Sequence, residues 1–405
     1  MRILSVIISP PFSRESGGLA AGLHLSKATS NLVDIEAAVM ADQTKLETSD
    51  HLRIHFFSCH SVFGRFTPIL PRQLRSLLWR CNKIAQFIRI HKPDLVHFHN
   101  PHPAGALWKL CGSCVAEKIP YVISGHGFVE MSNFSSTLGV ARWKRPLVWM
   151  LVTRPFRCAV KNATHVFLTS PFEKQIVADL GVSPERQSIV TNGVNPFYLQ
   201  PADKEMMRKI SERWVIIQDV PSFLFVGNHT FNKGIDVLLK AAHKVKTPLR
   251  IFIAGRIRSR EEHSLLCRRY RVDELQGQVV FTDVLDDLEL RALYQAVSAF
   301  VFPSRADTLP LVVLEAMASG LPVISTNVGG IPYQVTSETG ILVPPNNSDA
   351  LAKAMMEMAN DPKRRISMGA AGRKRVQECF NWEQSAKTAA TLYHRIFQDS
   401  TLVKS

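Results

Sequence analysis

Short apolar runs alternate with helix-length amphipathic patterns along nearly the whole chain, and the alternation starts afresh halfway. In the first half, residues 3–8, 55–59, 95–99, 121–124 and 165–169 read as strands. Helix patterns cover 17–30 and 73–91, and another opens at Ala104. Strand, crossover helix and strand in this order predict a parallel, doubly wound sheet. Turn chemistry at 191–197 and a polar helix at 203–213 interrupt the rhythm. A second series follows, with strands at 222–227, 250–254, 279–282, 299–302 and 322–325 and helices opening at Ile235, Leu288 and Leu311. A chain of 405 residues is too long for one ordinary core. The expectation is therefore α/β: two Rossmann-like doubly wound parallel-sheet domains facing a cleft, where a ligand would bind. Residues 1–200 form the first domain and 201–380 the second. The last helix, in 381–405, returns to the N-terminal domain.

Composition excludes several classes. An apolar fraction of 46% rules out wholesale disorder. No stretch approaches the length of a membrane span, and 146–160, the most apolar, is broken by Arg154, Pro155 and Arg157. The N-terminal run is too short for a signal peptide and ends at Pro10-Pro11. Seven cysteines without paired spacing fit reduced thiols in a cytosol. Cys111 and Cys114 have redox spacing but sit inside a helix pattern, as small apolar residues would. The net charge of +15 is concentrated early: 1–200 holds 22 Lys/Arg against 12 Asp/Glu, and 201–405 holds 27 against 22. From 51 to 93 there are eight basic residues and no acidic one.

Four motifs carry chemistry. The richest, 303–323, follows a strand, with Asp307 on the loop and Glu315 one turn into the next helix. Loop carboxylates at that end of a parallel strand face the ligand crevice. The helix start offers free N–H groups to an anion such as a diphosphate. Glu315 then suits ribose hydroxyls and Asp307 sugar hydroxyls. The plainer reading is two acids decorating a helix start. In 226–236, Lys233 sits on a strand-to-helix turn beside Asn228, a compact charge for a diphosphate. The order of a P-loop is absent, and a solvated lysine capping a turn is the alternative. Gly17 and Gly18, between the first strand and helix, let backbone approach a ligand closely. His126 lies between two glycines after a strand, well placed for substrate. His97, His99 and His102 cluster in sequence, but no further ligand completes a zinc set, so no metal is expected.

Segment 303–323 resembles the signature of the retaining family 4 glycosyltransferases, which adopt the GT-B fold. Glu315-Ala-Met-Ala-Ser-Gly320 matches, while Asp307 stands where Glu is usual and Leu309-Pro310 where Phe-Gly is common. Lys233-Gly234 matches the family's second motif, with Asn228 in place of its Arg and His229 or Arg256 as compensating candidates. Gly329-Gly-Ile-Pro332 matches too, but the usual Glu after it is Tyr333. The resemblance implies a nucleoside-diphosphate sugar donor and a glycan or lipid-linked acceptor in cell-surface polysaccharide or glycolipid synthesis. It implies donor contacts at Gly17, Gly18, Asn228, Lys233, Leu309 and Leu311, with His126 and Asp307 on the sugar and Glu315 on the ribose. No metal or other cofactor is implied, and no protein nucleophile. Two alternatives stay open: a nucleotide-sugar epimerase of the same architecture, told apart by its lack of an acceptor, and a non-catalytic sugar-nucleotide-binding relative. Nucleic acid is not expected, for no binding module accompanies the basic stretch.

The pattern 73–91 places Arg72, Arg75, Arg80 and Lys83 opposite an apolar stripe, with Trp79 among them. Such a face fits an anionic membrane surface and a cytoplasmic protein peripheral on the inner face of the membrane. A solvated face is the plainer alternative.

Overall fold

The computed structural model describes residues 1–9, 17–61, 79–132, 142–217, 219–257 and 260–402. The chain divides into two compact units, Met1–Gly193 with Trp382–Ser405, and Val194–Asn381. The first unit thus stops short of residue 200.

The first unit is built on an eight-stranded sheet. Its order is Gln187–Ile189, His165–Leu168, Tyr121–Ser124, Leu95–His99, Arg2–Ile7, Asp34–Ala41, Leu52–Ser58 and Lys45–Ser49. Every pairing is parallel except the last, where the exposed, polar Lys45–Ser49 closes one edge antiparallel. Leu95–His99 and Tyr121–Ser124 are buried at every residue. Helices on both faces of a parallel sheet demand this, and it is why continuous apolar runs marked these strands. From Arg2–Ile7 the chain first builds outward on one side. It then crosses back to Leu95–His99 and builds the other side, so a topological switch point lies between these two neighbours. Helix Gly17–Thr29 packs against the final helix Trp382–Leu402, with the His24 and Trp382 rings stacked at 5.6 Å.

The second unit repeats the plan with six parallel strands, Val279–Asp283, Arg250–Ala254, Ser222–Val226, Ala299–Phe302, Val323–Thr326 and Gly340–Val343. Here the switch point lies between Ser222–Val226 and Ala299–Phe302. The polar helix is Lys204–Arg213, started by the Asp203 carboxylate accepting from the N–H groups of Glu205 and Met206.

One expectation fails in its extent. The helix foreseen over 73–91 begins only at Asn82, and 73–78 lies outside the described residues. Trp79 and Arg80 instead pair antiparallel with His60 and Ser61, a competing ladder that ends at Cys81. Trp79 is half-buried and packs on the core rather than standing on a basic helix face. Lys83 is exposed and donates to the hydroxyls of Thr44 and Ser58. Arg72 and Arg75 lie outside the described residues. Among the described residues, no helix is long and apolar enough to cross a membrane.

Candidate active site

In the second unit, both loops flanking the switch point carry charge and are braced to one another. After Ser222–Val226 the chain turns through Phe231–Lys233 and enters helix Ile235–Ala242 at Gly234. Gly234 has φ of 72°, and a Cβ there would lie 1.9 Å from the carbonyl oxygen of Pro303, so only glycine lets the loops meet. Lys233 Nζ donates to Asp307 Oδ1 at 2.7 Å, and the Ser304 hydroxyl donates to Asp307 Oδ2. Two separately read motifs are thereby joined in one ion pair. The Asp307 side chain is 9% exposed and that of Lys233 25%. Asp307 therefore reaches a ligand only if Lys233 or Ser304 lets go, whereas Lys233 keeps an open side. Gly329 closes over the same carboxylate loop: its φ is 54°, and a Cβ would fall 1.8 Å from the Asp307 carbonyl oxygen.

A second pair makes the brace rigid. Arg305 holds Asp236 through its two terminal guanidinium nitrogens, at 2.7 and 2.8 Å, lies over the Phe231 ring, and donates from Nε to Asn346 Oδ1. This bidentate geometry is the strong form of the interaction. Neither Arg305 nor Asp236 was foreseen as a pair, although each stands inside a motif read from the sequence.

Helix Leu311–Ala318 begins at Pro310 with no side-chain cap and no acidic residue in its first turn. Its free N–H groups carry the positive end of the helix dipole, unopposed. Leu311 is half-buried, while the Leu309 side chain belongs to the core. Glu315 is half-buried one turn further on and accepts from the Tyr294 hydroxyl at 3.2 Å. Burial raises its carboxyl to about 7, with the Asp287 charge adding to the rise and the Tyr294 bond opposing it. No sequence signal marked Tyr294.

Asn228 is half-buried at the mouth of the Lys233 loop. His229, a candidate to replace the missing arginine, supplies no charge: burial lowers it to about 4, and the neighbouring His263 lowers it further, against Asp283. Its ring packs on His263 and Phe281. Arg256 is exposed. Tyr333 sets its ring edge-on to Phe380 at 5.5 Å, so in this chain that position serves packing.

The switch point of the first unit has a different character. Helix Gly17–Thr29 starts beside Asn100, whose side chain would be 3.3 Å from a Cβ at Gly18 and which donates to the Ile8 carbonyl. Next to it, His99 Nδ1 and His126 Nε2 are 3.5 Å apart. The rings of His97 and His99 are 3.8 Å apart, and His97 hydrogen-bonds Tyr393 at 2.5 Å and Ser124 at 2.7 Å. Burial pulls all three imidazoles below their ordinary range, His126 to about 4. At neutral pH these rings are uncharged, and His126, half-buried, can exchange hydrogen bonds with a hydroxyl group. Among the described residues, no group of three or more His, Cys, Asp or Glu is arranged to hold a metal ion.

Two family models match the chain in succession: one described as Glycosyltransferase Family 4 over residues 34–196, the other as Glycosyl transferases group 1 over 206–375. The D-inositol 3-phosphate glycosyltransferase of Corynebacterium aurimucosum is 29% identical over 417 residues, 97% of this chain and 96% of that protein. Other curated relatives match over part of their length, this chain spanning 60%, 53% and 58% of three of them. Sucrose-phosphate synthase from Thermosynechococcus elongatus superposes with a TM-score of 0.77 at 22% identity, over 98% of this chain and 100% of that one. HepE of Anabaena in complex with UDP-glucose does so with a TM-score of 0.75 at 15% identity, over 97% and 100%. At these identities the likeness to the two structures is one of fold.

Proposed function

The chain belongs to the family 4, group 1 glycosyltransferases of the GT-B fold, and from that premise we propose that it moves a sugar from a nucleoside-diphosphate sugar to a glycan or lipid-linked acceptor, with retention at the anomeric carbon, in the synthesis of a cell-surface polysaccharide or glycolipid. The observation that carries this reading is the partly open Lys233 ammonium, fixed by Asp307 at the same switch point as the uncapped start of Leu311–Ala318. A diphosphate needs such a pair of positive ends, and Glu315 one turn along suits the ribose hydroxyls. The fold likeness to a structure holding UDP-glucose supports the same donor class.

In this reading the bond between the anomeric carbon and the diphosphate oxygen breaks while the acceptor oxygen bonds to the same face of that carbon. The acceptor proton passes to the departing phosphate oxygen, and no protein nucleophile takes part. Lys233 and the helix N-terminus stabilise the charge that develops on the leaving group, without a metal ion. Asp307 holds Lys233 in place and grips the sugar when that pair opens. Within the second unit Asn228, Leu309 and Leu311 border the phosphates; in the first, His126, as a neutral imidazole, suits a hydroxyl group, and the Gly17-Gly18 backbone leaves room for a ligand.

A panel of nucleotide sugars, assayed for thermal stabilisation and then for transfer, tests this. At least one should stabilise the protein, and Glu315→Ala should bind it more weakly. If none stabilises or is turned over, and Glu315→Ala changes nothing, the reading fails.

A further inference from the structure

We propose that the outward face of the helical stretch Arg145–Lys161, in the first unit, docks the protein on a membrane surface rich in anionic lipid. The stretch runs as helix Arg145–Val148, a π-helical turn Trp149–Thr153, and helix Arg154–Lys161. Val148, Val152, Phe156, Ala159 and Val160 are buried against the unit's core. The other side leaves Leu147, Trp149, Met150 and Leu151 exposed by 47, 54, 50 and 38%. Trp143, just before, is 78% exposed. Large apolar side chains clustered this way on a water-facing surface mark an interaction site.

Charge identifies the occupant. Exposed Arg142 and Arg145 stand at one end of the apolar strip, Arg154, Arg157 and Lys161 at the other. Among the described residues Arg142, Arg145 and Arg154 make no ion pair, and Arg157 donates to the Asp179 carbonyl. Across residues 131–172 the sequence holds six Lys/Arg and no Asp/Glu. Tryptophan and apolar side chains between arginines match the boundary of a bilayer, where the rings sit at headgroup level and the guanidinium groups meet lipid phosphate. A second copy docking through the same face would bring like charges together. The attachment is peripheral in kind, the stretch being too short and too charged to span. None of these residues belongs to the face read around Trp79, and the proposal does not depend on the donor.

Co-sedimentation of the full chain with vesicles, without nucleotide sugar, tests it. Vesicles of equal parts phosphatidylcholine and phosphatidylglycerol should bind the protein. Phosphatidylcholine alone should bind it weakly, and salt should weaken the binding to the mixed vesicles. The double variant Trp149→Ser with Leu151→Ser should bind at least about tenfold less, and Arg145→Glu with Arg154→Glu should lose the preference for the anionic lipid. Because these side chains are exposed, melting temperature should stay unchanged. Ile366→Ser, at an exposed apolar residue of the other unit, should bind as wild type does. Equal partition of wild type and both double variants overturns the proposal. So does a concentration-dependent dimer that the Trp149 and Leu151 substitutions dissolve in the absence of vesicle binding. Either failure leaves the donor reading untouched, since it is read by a different assay.

Discussion

The two switch points share a topology and differ in electrostatics. In the second unit, loops after neighbouring strands carry Lys233, Asp307, Arg305 and Asp236, locked in two buried or half-buried ion pairs beside an uncapped helix start. In the first, the equivalent position holds His97, His99 and His126, all held neutral by burial. A doubly wound sheet fixes only where a ligand sits. The side chains at the strand ends decide whether that place suits a doubly charged phosphate or an uncharged hydroxyl-rich group. In the proposed reading, the diphosphate belongs to the second unit and hydroxyl groups to the first.

The sharpest way to break this contrast is Lys233→Met. Donor affinity should fall by roughly tenfold to 150-fold, the worth of about 1.5–3 kcal/mol for a charge-assisted bond. The melting temperature should fall as well, because Asp307 stays buried without its cation. His126→Gln, by contrast, should lower turnover while leaving nucleoside-diphosphate affinity unmoved. A matching loss of nucleotide affinity in His126→Gln would erase the distinction.

Arg305→Lys comes next. Lysine keeps the charge but not the two-pronged grip on Asp236 or the stacking on Phe231. Thermal unfolding should show a loss of about 2 kcal/mol. An unchanged melting curve would mean that the loops do not depend on this brace.

A pH series sharpens the role of Glu315. Its carboxyl sits at about 7, above the usual 4.5, so the fold favours the protonated form. The stability this supplies is present below the ordinary value and is lost as pH rises through about 7. Ribose hydroxyls call for the ionised form. Donor binding should therefore release protons and weaken by about tenfold per pH unit as pH falls below 7. Glu315→Gln should flatten that profile, and a wild-type profile flat across this range would remove Glu315 from the ribose. The smallest effect belongs to the neutral site: Tyr393→Phe, which removes the bond to His97, should cost about 1 kcal/mol of stability and leave donor affinity alone.

Much of this was readable in the sequence where burial is symmetric. Leu95–His99, Tyr121–Ser124, Arg250–Ala254 and Ala299–Phe302 begin and end as expected because both faces are covered and every residue but Arg250 is buried. Asp34–Ala41 escaped notice because Asp34 and Glu36 disguise its start. The helix over 73–91 was drawn too long because its apolar stripe runs on past the point where Trp79-Arg80 pairs with another segment. Lys233, Asp307 and Glu315 were each visible in a motif, but the Lys233–Asp307 pair was not. Seventy-four residues separate them, and only the adjacency of strands Ser222–Val226 and Ala299–Phe302 brings them together. Nor could spacing tell that Asp307 would be enclosed, or that His229 would be uncharged. Both depend on neighbours contributed by other elements.

Calorimetric titration of the intact chain and its Lys233→Met variant with a set of nucleoside diphosphates tests the central claim most directly. At least one nucleoside diphosphate should bind the wild type, and bind Lys233→Met at least about tenfold more weakly. If none binds the wild type, or if the variant binds as tightly, the switch point of the second unit is not the seat of the donor diphosphate.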